Sequence, residues 1–213
     1  MIDTAELFSL KGRSALITGG SRGIGRMIAE GFLRAGARVY ISARKADACV
    51  ATADELSVIG PCVSLPADVS TQGGVQQLVA SYQQHERSLD ILVNNAGAAW
   101  GAPAEDHPLD AWDKVMNLNV RGYFLLSQRA AKKSMIARKQ GRIINIASIA
   151  GLGGNPPEMQ TIAYNTSKGA VVNFTRALAC EWGHYGITVN AICPGFFPSQ
   201  MTRGTLENLG EEK

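Results

Sequence analysis

The run Arg13-Ser14-Ala15-Leu16-Ile17-Thr18-Gly19-Gly20-Ser21-Arg22-Gly23-Ile24-Gly25 decides the fold. Its first six residues read as a strand, apolar through Ala15-Leu16-Ile17, as a strand covered on both faces must be. Three glycines follow in the spacing Gly-x3-Gly-x-Gly (Gly19, Gly23, Gly25), and an amphipathic helical pattern starts at once over residues 24–35. Strand, glycine turn and helix in immediate succession describe one purpose. Glycines let the backbone turn tightly and approach a pyrophosphate, while a helix N-terminus offers free N–H groups and the positive end of its dipole.

Working outward, further β-rich runs fall at 38–42, 62–65, 91–94, 142–146 and 188–192. Helical patterns at 47–58, 75–85, 111–138 and 163–185 separate them. This alternation predicts an α/β protein, a doubly wound parallel sheet of the Rossmann type with helices on both faces. In such a sheet a ligand sits at the carboxyl ends of the strands, where strand order reverses. The chain has 213 residues, 46% of them hydrophobic, which suits one domain spanning 1–213.

Composition excludes several classes. The net charge of +3, with 18% charged residues and no basic stripe, gives nucleic-acid binding no support. The first twelve residues carry Asp3 and Glu6 and lack a secretory apolar stretch, and no run is long enough to span a bilayer. A cytoplasmic protein is expected. Cys49, Cys62, Cys180 and Cys193 form no Cys-x-x-Cys pair and read as buried free thiols. His85, His107 and His184 are scattered, so no metal site is expected.

The second strand exits into Ser42-Ala43-Arg44-Lys45. An acidic residue near this point holds the ribose 2′-hydroxyl of NAD; an arginine accommodates the 2′-phosphate of NADP. Arg44, with Arg22 in the glycine loop as a second cation, points to NADP(H). Farther on, Tyr164-Asn165-Thr166-Ser167-Lys168 sets Tyr164 and Lys168 four residues apart on one helix face. A phenol titrating near pH 10 needs its anion stabilised to move protons near neutrality, and an ammonium on the same face supplies that. Ser148, at the exit of the fifth strand, is placed to hydrogen-bond a carbonyl and orient it against Tyr164.

Taken together, these motifs resemble the short-chain dehydrogenase/reductase family over essentially the whole length, and most of all its 3-oxoacyl-[acyl-carrier-protein] reductases, rhamnolipid-linked ones included. The matching residues are the glycine loop 18–25, Asp68-Val69, Asn94-Asn95-Ala96-Gly97, Asn119, Ser148, Tyr164-x3-Lys168 and Pro194-Gly195. The resemblance implies that Gly19, Ser21, Arg22, Gly23, Ile24 and Gly25 hold the cofactor phosphates. It places Asp68 and Val69 on the adenine, Asn95 and Gly97 along the cleft, and Phe197 and Ser199 near the nicotinamide amide. It also implies that Asn119 holds a water linking Lys168 to solvent, and that a carbonyl is reduced to a secondary alcohol with Tyr164 as acid/base. The expected substrate is a 3-oxoacyl thioester or related ketone; a sugar, polyol or steroid alcohol dehydrogenase is the alternative, and a non-catalytic NADP-binding protein the alternative of another class.

Three departures bear on substrate and partners. The segment between Ser148 and Tyr164 carries Gly151, Gly153, Gly154, Pro156 and Pro157, is longer than in many relatives, and reads as a substrate-pocket wall with Trp100 as a candidate second wall. Lys132, Lys133, Arg138 and Lys139 offer a basic face for an acyl carrier protein, although Tyr185 stands where many carrier-dependent members have a basic residue. Relatives also continue past the loop after Pro194 into one more helix and a seventh strand, so a C-terminal segment beyond Lys213 is expected. Resemblance further implies a homo-dimer or homo-tetramer built on the helices at 111–138 and 163–185.

Overall fold

The structure, a computed structural model, describes residues 4–197. All five positions of β1 (Ser14–Thr18) are buried, because the strand feeds two cores. Ala15 and Ile17 face the cluster that holds Ala29 and Leu33 of α2 (Gly23–Arg34) and Cys49, Ala53 and Leu56 of α3 (Ala46–Leu56). Leu16 faces the other way, onto Val75, Leu78 and Tyr82 of α4 (Gln72–His85). The four-residue spacing of Gly25, Ala29 and Leu33 lays one stripe of α2 on the sheet. A short α1 (Thr4–Leu7) precedes β1.

The remaining strands are β2 (Arg38–Ser42), β3 (Cys62–Ser64), β4 (Ile91–Asn94), β5 (Gly141–Ile146) and β6 (Ile187–Ile192). Every pairing is parallel, in the order β3-β2-β1-β4-β5-β6. The order reverses between β1 and β4, which opens a crevice above their carboxyl ends. The expected doubly wound sheet is present.

Between β4 and β5 runs a rod made of α5 (Leu109–Met116), α6 (Gly122–Ala130) and α7 (Ile136–Arg138). One-turn π segments at Asn117–Arg121 and Ala131–Met135 join them. Each π turn adds a residue to the 3.6 repeat and rotates the faces beyond it, which simple periodicity did not foresee. The helix expected at 163–185 is α8 (Ile162–Trp182), ending in a 3-10 turn Gly183–Tyr185.

One expectation is corrected. Cys49 and Cys62 are buried free thiols, but Cys180 is exposed, because α8 turns that position outward, and Cys193 is only partly covered. Arg138, one of the four basic residues named for a docking face, is also tied to the fold: its guanidinium donates to Asp90 Oδ1 at 2.6 Å and to Leu89 O at 3.2 Å. Among the described residues no helix is long and apolar enough to cross a membrane, and no His/Cys/Asp/Glu cluster could hold a metal. Ser199 and the C-terminal end at Lys213 lie outside the described residues.

Candidate active site

The glycine loop is built by close approach. Gly19 has φ +67°, a conformation that glycine adopts freely. A Cβ on Gly25 would stand 2.3 Å from Gly19 O and 2.5 Å from Asn95 Nδ2, so the first turn of α2 presses directly on the loop. Asn95 locks this contact by donating from Nδ2 to Thr18 O (2.9 Å) and Gly19 O (3.3 Å). Thr18 Oγ1 in turn accepts the N–H groups of Asn95 (3.0 Å) and Ala96 (3.1 Å), tying the exit of β4 to that of β1.

No side chain caps the first turn of α2, whereas Thr71 Oγ1 caps α4 by accepting from Gly74 N. The α2 end, preceded by Ser21 and Arg22 and opening with Gly23 and Ile24, therefore keeps the dipole and amide groups that an anion needs. At the exit of β2, Ser42 Oγ is buried without a hydrogen-bond partner among the described residues, and Arg44 is exposed beside it in sequence. A glycine cradle that a Cβ would fill, an uncapped helix end and an orphaned hydroxyl beside an arginine fit a dinucleotide with an extra phosphate. Asp68 Oδ1 is engaged by the amide (3.0 Å) and hydroxyl (2.7 Å) of Ser70, and Val69 is buried.

On the other side of the crevice, α8 carries Tyr164 and Lys168. Tyr164 is half-buried and Lys168 is 3% exposed. Lys168 Nζ lies 5.6 Å from the Tyr164 ring centroid and donates to Ile146 O at 2.7 Å. Burial lowers the Lys168 ammonium to about 8, with Cys193 acting in the opposite direction. Burial raises the Tyr164 phenol above its usual value, while its hydrogen bond with Ser148 pulls it down. Both groups therefore hold their protons at neutral pH, the state of an acid ready to donate. Ser148, buried at the exit of β5, also accepts from Ala150 N at 3.1 Å, which starts a 3-10 turn.

Asn119 sits in the first π turn with its side chain fully engaged. Its Oδ1 accepts from Ala98 N (2.8 Å), and its Nδ2 donates to Ala98 O and Ser167 Oγ (both 2.9 Å). Ser167 Oγ donates onward to Tyr164 O at 2.7 Å. Asn119 thus fastens the turn after β4 to α8, and a Cβ on Gly97 would lie 3.4 Å from Asn119 Oδ1 and 3.8 Å from Lys168 Nζ. Phe197 is 45% exposed beyond β6. Ser167 and Tyr123 belong to this framework although no local spacing marks them.

A cavity of about 300 Å³ opens beside this region, lined by polar Asn155, Gln160, Thr161 and Asn165 together with Ala102 and Pro157. Its walls are the segment between Ser148 and Tyr164 and the one after β4, joined by the bond from Ala102 N to Gln160 O (2.9 Å). Trp100, expected as a second wall, belongs to the latter segment but is not among the residues lining this cavity; Lys114 Nζ lies 5.5 Å over its ring.

Comparison with known proteins agrees with this geometry. The family of short chain dehydrogenases matches residues 13–210, and the chain belongs to it. It is accordingly an oxidoreductase acting on CH–OH and C=O groups. A rhamnolipids biosynthesis 3-oxoacyl-[acyl-carrier-protein] reductase of Pseudomonas aeruginosa is 49% identical over 199 residues, covering 92% of this chain and 77% of the relative. A gluconate 5-dehydrogenase of Gluconobacter oxydans is 37% identical over 92% of this chain and 76% of its own. Among solved structures, the Pseudomonas aeruginosa RhlG/NADP active-site complex superposes with a TM-score of 0.87 at 48% identity, over 92% of this chain and 77% of that one.

Proposed function

We propose that this protein reduces the ketone of a 3-oxoacyl thioester or a related carbonyl compound to a secondary alcohol, with NADP(H) as cofactor. The observation that carries the reading is the meeting of Ser148, Tyr164 and Lys168 at the carboxyl end of β5. Gly19, Ser21, Arg22, Gly23, Ile24 and Gly25 would hold the pyrophosphate, and Arg44 the 2′-phosphate. Asp68, Val69, Asn95, Gly97, Phe197 and Ser199 complete the proposed cofactor site. Bound NADPH supplies the hydride. Ser148 orients the carbonyl by hydrogen bonding to its oxygen, and Tyr164 donates its phenolic proton to that oxygen as charge develops there. The buried Lys168 ammonium stabilises the resulting phenolate, and Asn119 holds the turn after β4 against α8. The 49% identity with the rhamnolipid-linked 3-oxoacyl reductase favours the acyl substrate.

A polyol or sugar substrate is the second reading, favoured by the polar cavity lining at Asn155, Gln160, Thr161 and Asn165. A substrate panel separates the two: NADPH oxidation with acyl thioesters against NADP+ reduction with polyols. For the chemistry itself, Tyr164→Phe should lower kcat by about a hundred-fold or more while NADPH binding persists. Lys168→Ala should damage both turnover and cofactor binding. Substantial turnover by Tyr164→Phe would remove Tyr164 from the reaction.

A further inference from the structure

Lys168 carries a buried charge in an unusual setting. It makes none of the salt bridges present among the described residues. A buried ammonium without a carboxylate must be compensated by other means. Its ammonium donates a hydrogen bond to the carbonyl of Ile146 on β5. Two aromatic rings also lie close to the ammonium. Tyr164, on α8 itself, is one; the other is Tyr123, on α6, whose ring centroid is also 5.6 Å from Nζ. Tyr123 is 2% exposed, and its hydroxyl donates to the same Ile146 carbonyl at 3.2 Å. The one carbonyl therefore fixes both the ammonium and the ring beneath it.

We propose that Tyr123 is a positioning residue for the proposed reaction, presenting its π face to the Lys168 ammonium and so keeping that group charged and in place beside Tyr164. This rests on the reading that Tyr164 and Lys168 carry the chemistry. Tyr123 lies four residues beyond Asn119, and the two side chains engage consecutive partners, Ser167 and Lys168, along α8. A leucine would fill the same apolar nest with Ala147 and Val171, but would bring neither a quadrupole nor a hydroxyl. Burial, with Tyr164 nearby adding to it, pushes the Tyr123 phenol far above its usual value, so it remains neutral and does not compete as an acid. Among the described residues, the other titratable group acting on Lys168 is Cys193, just past β6.

The test separates electrostatics from shape. Tyr123→Phe and a 3,4,5-trifluorophenylalanine introduced at the same position have nearly the same volume, but fluorination withdraws the electron density that attracts a cation. The Lys168 titration is followed directly in the protein without cofactor, by NMR of lysine labelled with carbon-13 at Cε. Lys168→Arg identifies the resonance by its loss. The phenylalanine variant should titrate close to the unmodified protein. The trifluoro variant should release its proton roughly half to one and a half pH units lower. The alkaline limb of carbonyl reduction, which needs Lys168 charged, should move the same way, with thermal unfolding unchanged between the two ring variants. An identical Lys168 titration in both overturns the role of Tyr123, whatever the activity shows. Retained turnover in Tyr164→Phe overturns the catalytic reading instead, and the NMR series keeps the two failures apart.

Discussion

Gly25→Ala tests how the glycine cradle works, with Gly31→Ala on the same helix as its control. The added methyl at position 25 would stand 2.3 Å from Gly19 O, 2.5 Å from Asn95 Nδ2 and 2.8 Å from Gly19 C. The first of these is about an ångström short of ordinary contact, and neither wall yields easily. Gly19 is backbone, and Asn95 is held by its bonds to Thr18 O and Gly19 O. Relief requires α2 to move off the loop, at the cost of about 1–3 kcal/mol that overpacking usually carries. If the bound geometry bears that cost, NADPH affinity falls about ten- to a hundred-fold. At position 31 a methyl meets nothing within 4 Å. There alanine should instead add about 0.5–1 kcal/mol of helix stability and raise Tm by about 1–4 °C. Fluorescence titration with NADPH and thermal unfolding read both variants. Wild-type affinity in Gly25→Ala would refute the claim that this close approach shapes the phosphate site.

Two further outcomes follow from single side chains. Arg44→Asp should lower the preference for NADPH over NADH by about ten- to a hundred-fold, since a charge-assisted phosphate contact is removed and a like charge introduced; equal kcat/KM with both cofactors in the unmodified protein would already contradict the assignment. Asp90 is buried, which raises its carboxyl, but the Arg138 hydrogen bond, the Ser14 amide and the charges of Arg138 and Arg13 outweigh this and hold it below the usual range. Its contribution to stability is thus complete above the unfolded value of about 3.9 and is lost as pH falls through the lower folded value. Asp90→Asn should cost about 1–3 kcal/mol at neutral pH and flatten the acid limb of a Tm-against-pH curve; an acid limb as steep as wild type would show that other carboxylates dominate it.

The sequence by itself determined the strand–glycine–helix turn at 13–25, the alternation that makes a parallel sheet, and the strand positions to within a residue or so. It also singled out Ser148, Tyr164 and Lys168, because each stands at a strand exit or on one face of one helix, and such relations are set by local backbone geometry. Tertiary structure decided what crosses between elements. Thr18 bonds the turn after β4, Ser167 receives Asn119, Arg138 pairs with Asp90, and Cys180 faces outward. Tyr123 of α6 meets Lys168 of α8 at the Ile146 carbonyl of β5, and no spacing along the chain brings those three elements together. Spacing along a chain encodes faces of a single helix or strand. Which two faces meet depends on how elements rotate and cross when their apolar sides pack, and that rotation is fixed by the whole core.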